Sequence, residues 1–103
     1  MLSSEKYIMP RAKIRDYLLK PHTNHSQEFF DVGYTPFDTE KLNHDINALF
    51  DESKATDFRF IGAEKVKFSI FMELGVTTKK RFRTVWQKDT RYAKPRFITA
   101  HRE

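Results

Sequence analysis

Through the first half of the chain the apolar positions recur three and four residues apart, and in the second half they alternate. Ile14, Tyr17 and Leu18 stand at i, i+3 and i+4, the spacing of one helix face. Pro10 suits the first turn of that helix and Pro21 ends it. Asn24 is placed to cap a second helix, with Gln27 three residues on as in a capping box, Phe29 and Phe30 inward, and Gly33 at its end. Thr35 or Asp38 caps a third, clearer helix. In it Leu42, Ile46, Leu49 and Phe50 fall at i, i+4, i+7 and i+8, while Asp38 and Glu40 sit near its positive end. Asp51 to Thr56 reads as the loop that leaves it.

From Asp57 onward the period is two. Phe58 and Phe60 alternate with Asp57 and Arg59, and Gly62 with Ala63 marks a turn into a strand over Lys65 to Leu74. There Val66, Phe68, Ile70, Met72 and Leu74 share one face, opposite Lys67, Ser69, Phe71 and Glu73. After a connection at Gly75 to Lys79, a third strand sets Phe82, Thr84 and Trp86 opposite Arg81, Arg83 and Val85. A fourth, Pro95 to His101, sets Arg96, Ile98 and Ala100 opposite Phe97, Thr99 and His101. Register is open at this point, so either set of the fourth strand is compatible with a place beside Arg83.

Helices followed by strands in hairpin succession predict an α+β fold: about three N-terminal helices packed on one face of a four-stranded antiparallel sheet. The expected organisation is a single domain over residues 1–103, helical over 1–54 and a basic sheet over 55–103. The face turned away from the helices is expected to carry Lys67, Ser69, Glu73, Arg81 and Arg83.

Composition supports a packed core without covalent staples. A chain of 103 residues buries roughly 65% of the surface it exposes unfolded. Ten Phe, four Tyr and one Trp supply apolar area, and the absence of Cys excludes disulfides and thiolate metal sites. Without an apolar run near the ~20 residues of a membrane span, and without the apolar stretch of a signal peptide at the N-terminus, the expectation is a soluble cytoplasmic protein that does not engage membranes.

Charge sharpens the picture. The net +5 divides unevenly: residues 1–63 hold 8 Lys/Arg against 10 Asp/Glu, a balance of −2, and residues 64–103 hold 11 against 4, a balance of +7. A basic sheet suits RNA or another polyanion, because neutralising phosphates releases counterions. The ordinary alternative is that lysine and arginine keep a sheet soluble and blunt its edges.

Candidate chemistry concentrates between Arg81 and His101. Metal-independent RNA cleavage needs a base for the 2′-hydroxyl proton, an acid for the leaving oxygen, and cations for the crowded phosphate. Arg81, Arg83 and Arg96 are candidate cations, Thr99 a source of a hydrogen bond, and His101, His22 or Glu73 the proton-transfer group. Lys67, Arg81, Arg83, Arg91, Tyr92 and Lys94 are the candidate nucleic-acid contacts, and Phe71, Tyr92 and Tyr34 the candidate stacking platforms. Thr84 and Thr99 also suit plain β-strand roles, and His101, close to the chain end, suits a frayed surface. His22 and His25 lie three apart, but no third ligand follows at a recognisable spacing, so neither metal nor cofactor is expected.

Several of these pieces together resemble a bacterial family of small domains that has no established activity. The pieces are Tyr17-Leu18-Leu19, Phe29-Phe30 followed by Gly33-Tyr34-Thr35, Arg83-Thr84-Val85-Trp86, and Pro95-Arg96-Phe97-Ile98-Thr99-Ala100. The family pattern usually carries Gly and Lys shortly before the paired phenylalanines; this chain reads Thr23-Asn24-His25-Ser26-Gln27, so Ser26 cannot supply that charge. The order of elements is also similar to that of the barnase, EndoU and RelE-like toxin nucleases. That likeness implies a toxin-like RNA-binding domain with endoribonuclease chemistry, whose partner would be an acidic antitoxin. Two other classes compete: a noncatalytic inhibitor or adaptor that presents the basic face to an acidic protein, and a small-molecule enzyme with a deep pocket around Arg83 and Arg96.

Overall fold

The computed structural model describes the backbone of residues 2–3 and 6–103. The α+β class holds, and the sheet is larger than the four antiparallel strands expected. Strand β1 (Leu2–Ser3) pairs with β2 (Ile8–Met9), and β2 lies parallel to β6 (Arg96–Arg102) through Ile8 and Arg96. The long strands β3 (Thr56–Phe60), β4 (Val66–Leu74), β5 (Lys80–Lys88) and β6 are antiparallel, giving the order β1-β2-β6-β5-β4-β3. The sheet is therefore mixed. A two-residue strand that finds its partner nearly ninety positions away carries no periodic signal of its own.

Helix α1 (Arg11–Lys13) starts after Pro10, whose extended backbone suits an N-cap, and widens into a π turn over Ile14–Leu18. That turn buries Ile14 and Leu18 and leaves Tyr17 half-buried. Helix α2 (Asn24–Phe30) is capped by Thr23 with Ser26, one residue earlier than the Asn24 and Gln27 box expected. The Thr23 hydroxyl accepts from the Ser26 amide at 3.1 Å, and the Ser26 hydroxyl accepts from the Thr23 amide at 3.3 Å. Ser26 thus fills a structural position here. Helix α3 (Thr39–Leu49) follows Asp38 and buries Leu42 and Ile46, but Leu49 faces outward. Beyond α2, Gly33 adopts φ 103°, where a side chain would meet Thr77. The neighbouring Val32 carbonyl accepts from Val76 at 2.7 Å and Thr77 at 3.1 Å, which ties the 75–79 turn to the helical layer.

The helices cover one face of β4, β5 and β6. Phe68, Ile70, Met72, Leu74, Phe82, Trp86, Phe97 and Ala100 meet Tyr7, Ile14, Leu18, Phe29, Leu42, Ile46 and Phe50 in one buried cluster. Trp86 is its hub, with ring centroids of Phe50, Tyr7 and Phe97 at 4.7, 4.9 and 5.3 Å. Tilted and edge-on pairs of this kind contribute about 0.5–1.5 kcal/mol each beyond area burial. Its indole N–H donates to Thr84 Oγ1 at 2.8 Å, and that hydroxyl donates to the Ile70 carbonyl at 2.6 Å. Thr84 accordingly completes the core.

The inward face of β3 is left uncovered. Phe58 and Phe60 are 65% and 76% exposed and, with Val66, Lys88 and Arg91, border a groove of about 680 Å³. Among the described residues no helix is long and apolar enough to cross a membrane.

Candidate functional site

The register of the central strands decides which polar side chains share the open face. Arg83 lies opposite Phe71 on β4 and opposite His101 on β6, while Val85 lies between Ser69 and Thr99. Neither alternating set of the fourth strand survives intact, because a bulge at Ile98 shifts the pairing between Val85 and Trp86. Phe97 and Ala100 both turn inward. Arg96, Thr99 and His101 turn outward, since they pair with Gln87, Val85 and Arg83. One inserted residue thus places a histidine, a hydroxyl and an arginine on one surface.

At the centre of that surface Asp57, Arg59, Lys67, Ser69, Arg83 and His101 line a pocket of about 250 Å³. Arg83 is fixed there by two hydrogen bonds, from Nε to Ser69 Oγ at 2.9 Å and from Nη2 to Asp57 Oδ2 at 2.8 Å. Asp57 reaches it from β3 through a left-handed backbone, φ 56°, at an irregularity in the β3–β4 pairing. Non-glycine residues rarely take that conformation, and Asp tolerates it better than most. Among the described residues neither Arg59 nor Lys67 has a carboxylate within ion-pairing distance. Arg81 and Arg83 stack over the Phe71 ring, at 4.2 and 5.6 Å from its centroid.

A second polar group joins the face from the outer side of β6. The Tyr17 hydroxyl lies 3.2 Å from Thr99 Oγ1 and 3.2 Å from His25 Nε2, and the two rings are 4.7 Å apart. Lys13 stands over the Tyr17 ring at 5.5 Å and donates to the Ile98 carbonyl at 3.5 Å. Farther along, Arg96 approaches Asp89 at 3.5 Å. The Gln87 amide, and then Arg96, hold the Asp89 carboxyl below the usual carboxylate range.

The expected site residues therefore divide. Arg83, His101 and Lys67 surround one pocket, and Arg81, Thr99 and Arg96 extend the same face. His22 sits in the exposed turn after the π turn, at φ 67°, and does not line that pocket. The loop after β5 leads Arg91, Tyr92 and Lys94 elsewhere. Arg91 borders the apolar groove beside Phe58 and Phe60, and Tyr92 and Lys94 line a cavity of about 440 Å³ with Lys6, Phe50 and Lys88. Tyr92 is exposed, whereas Tyr34 is buried and donates to Asp45 at 2.6 Å, so Tyr34 offers no stacking surface. Burial first, then Asp45, raises the Tyr34 phenol well above its ordinary value.

Asp57, Arg59, Tyr17 and His25 were not singled out from the sequence as site residues. The signal for the first two was the alternation of Asp57 and Arg59 with Phe58 and Phe60, which sets both polar side chains on one strand face. For Tyr17 and His25 no local signal existed, because Thr99, through which Tyr17 joins the face, lies 82 positions away from it.

Among the described residues no group of three or more His, Asp or Glu is arranged to hold a metal ion. Comparison with protein-family models, with curated proteins and with solved structures gives no match for this chain.

Proposed function

We propose that this chain is a small bacterial toxin-like domain that binds RNA through the open face of its sheet and cleaves it without a metal ion. The observation that carries this reading is the pairing of Arg83 with His101, around a pocket that Arg59 and Lys67 also line. A phosphodiester seated there meets three cations, and the half-buried Phe71 ring with its stacked arginines offers a base a surface next to it. His101 and Asp57 stand on either side of Arg83 as two proton-transfer groups. In the reaction the 2′-oxygen attacks the adjacent phosphorus while one group takes its proton. The bond from phosphorus to the 5′-oxygen breaks as the other group protonates that oxygen, and Arg83 and Lys67 stabilise the added negative charge. The products are a 2′,3′-cyclic phosphate and a 5′-hydroxyl.

A second reading has one observation in its favour. Asp57 already neutralises Arg83, which suits a noncatalytic inhibitor or adaptor whose basic face receives an acidic protein.

The two separate in a salt titration of single-stranded RNA binding, followed by fluorescence anisotropy. Binding through the open face weakens steeply with salt, and Arg59→Ala or Lys67→Ala each lowers the slope by about 0.7. Arg91→Ala, at the groove on the opposite face, leaves it unchanged. Salt-insensitive binding, or none, would overturn the RNA reading and leave the acidic protein partner.

A further inference from the structure

The polar contacts behind Thr99 have a direction. His25 Nδ1 is buried and, among the described residues, has no hydrogen-bond partner, whereas Nε2 faces the Tyr17 hydroxyl at 3.2 Å. An imidazole with one proton carries a donor on one nitrogen and an acceptor on the other. A buried N–H without an acceptor costs more than a buried lone pair without a donor. The proton therefore belongs on Nε2, and His25 donates to Tyr17. With its oxygen accepting from His25, Tyr17 directs its own proton to Thr99 Oγ1, 3.2 Å away. The Thr99 oxygen then accepts, and Tyr17 is its hydrogen-bond partner among the described residues. Its proton is left to point outward. Thr99 is opposite Val85 and two residues before His101, so that proton emerges on the face that holds Arg83.

We propose that His25, Tyr17 and Thr99 form a one-way hydroxyl relay that presents Thr99 as a fixed donor to a phosphate oxygen on the open face. The ligand assignment rests on the RNA reading given above; the direction of the relay does not. Hydrogen bonds in a chain polarise one another, so Thr99 is a stronger donor than an isolated threonine. Lys13, over the Tyr17 ring, adds positive potential at the same place. Tyr17 and His25 act through Thr99 and are positioning residues.

The test has two arms on the full chain. Long-range proton–nitrogen correlation spectra of protein labelled in its histidines, recorded where the ring holds one proton, are expected to show His25 protonated on Nε2. A proton on Nδ1 would reverse the relay and overturn the proposal. In the second arm, binding of a short single-stranded RNA is compared for wild type, Thr99→Ser, Thr99→Val and Tyr17→Phe. Thr99→Val, which keeps shape and loses the donor, is expected to weaken binding about 3- to 10-fold, the loss of one accessible hydrogen bond. Thr99→Ser is expected to remain within about twofold of wild type, and Tyr17→Phe to fall between. Equal affinity for Thr99→Val and wild type would remove the donor role even if Tyr17→Phe proved unstable. Nε2 protonation with no RNA binding by wild type would retire the ligand and the RNA reading together, whereas Nδ1 protonation with RNA binding would retire the relay alone.

Discussion

Asp57 competes with any phosphate for Arg83, and replacing it by Asn separates that competition from folding. The carboxylate lies 2.8 Å from Nη2, and the side chains of Arg83 and Asp57 are 32% and 51% exposed. Solvent screening at that exposure limits the pair to about 0.2–1 kcal/mol of stability. Asn keeps a hydrogen-bond acceptor and is at ease at φ 56°; Ala would add backbone strain to the loss of charge. Asp57→Asn is thus expected to cost no more than about 1 kcal/mol in urea unfolding. For the ligand, a negative charge about 4 Å from a phosphate in water repels it by ~1 kcal/mol. If the open face binds RNA as proposed, its removal is expected to strengthen that binding about fivefold and to raise the salt slope by about 0.7, as one more cation becomes available. Cleavage by the proposed route is expected to move the opposite way, because a proposed proton-transfer group is lost. Fluorescence anisotropy over a salt series reads the first effect and product formation the second. Unchanged or weaker RNA binding by Asp57→Asn would refute the competition.

Two further outcomes test the scaffold beneath the site. Thr84→Val strips the Trp86 indole of its acceptor and the Ile70 carbonyl of its donor inside the core. It is expected to lower stability by about 1–3 kcal/mol in urea unfolding, with Thr84→Ser losing less; a neutral Thr84→Val would show that the network is dispensable. The second concerns alkaline pH. Burial raises the Tyr7 phenol above its ordinary value, and burial with Asp45 does the same for Tyr34. A group whose folded value is raised holds its proton more tightly in the native state. That stability is complete below the unfolded value of about 10 and is lost as pH rises above it. Unfolding midpoints should therefore fall above about pH 10, and Tyr34→Phe should flatten the fall. An equally steep fall in Tyr34→Phe would count against the assignment of Tyr34.

How much of this was legible depends on the range of the interactions. The inward residues of β4 and β5 could be read because alternation is a local consequence of pleating, and Phe68, Ile70, Met72, Phe82 and Trp86 obey it. The fourth strand could not be read in the same way. A single extra residue at Ile98 breaks its parity, and nothing in Phe97-Ile98-Thr99 marks the bulge. Short strand β2 was invisible for a related reason: two apolar residues have no period, and their pairing with β6 joins the two ends of the chain. At α2 the neighbouring pairs Thr23 with Ser26 and Asn24 with Gln27 both match the capping pattern. The extended backbone of Thr23 chose the first. The basic character of the sheet was evident from charge counts, but the convergence of Arg83, His101 and Asp57 is a property of register. The place of the loop after β5 is likewise long-range, with Tyr92 and Lys94 lining a cavity together with Lys6 and Phe50 from distant parts of the chain.

The central claim is metal-free RNA cleavage at Arg83 and His101, and it is tested most directly on mixed-sequence single-stranded RNA in EDTA. Wild type, Arg83→Ala and His101→Ala are incubated side by side and the product ends are identified. Wild type is expected to leave 2′,3′-cyclic phosphate and 5′-hydroxyl ends, with each variant slower by roughly 100-fold or more. Intact RNA in all three, or equal cleavage by all three, would contradict it.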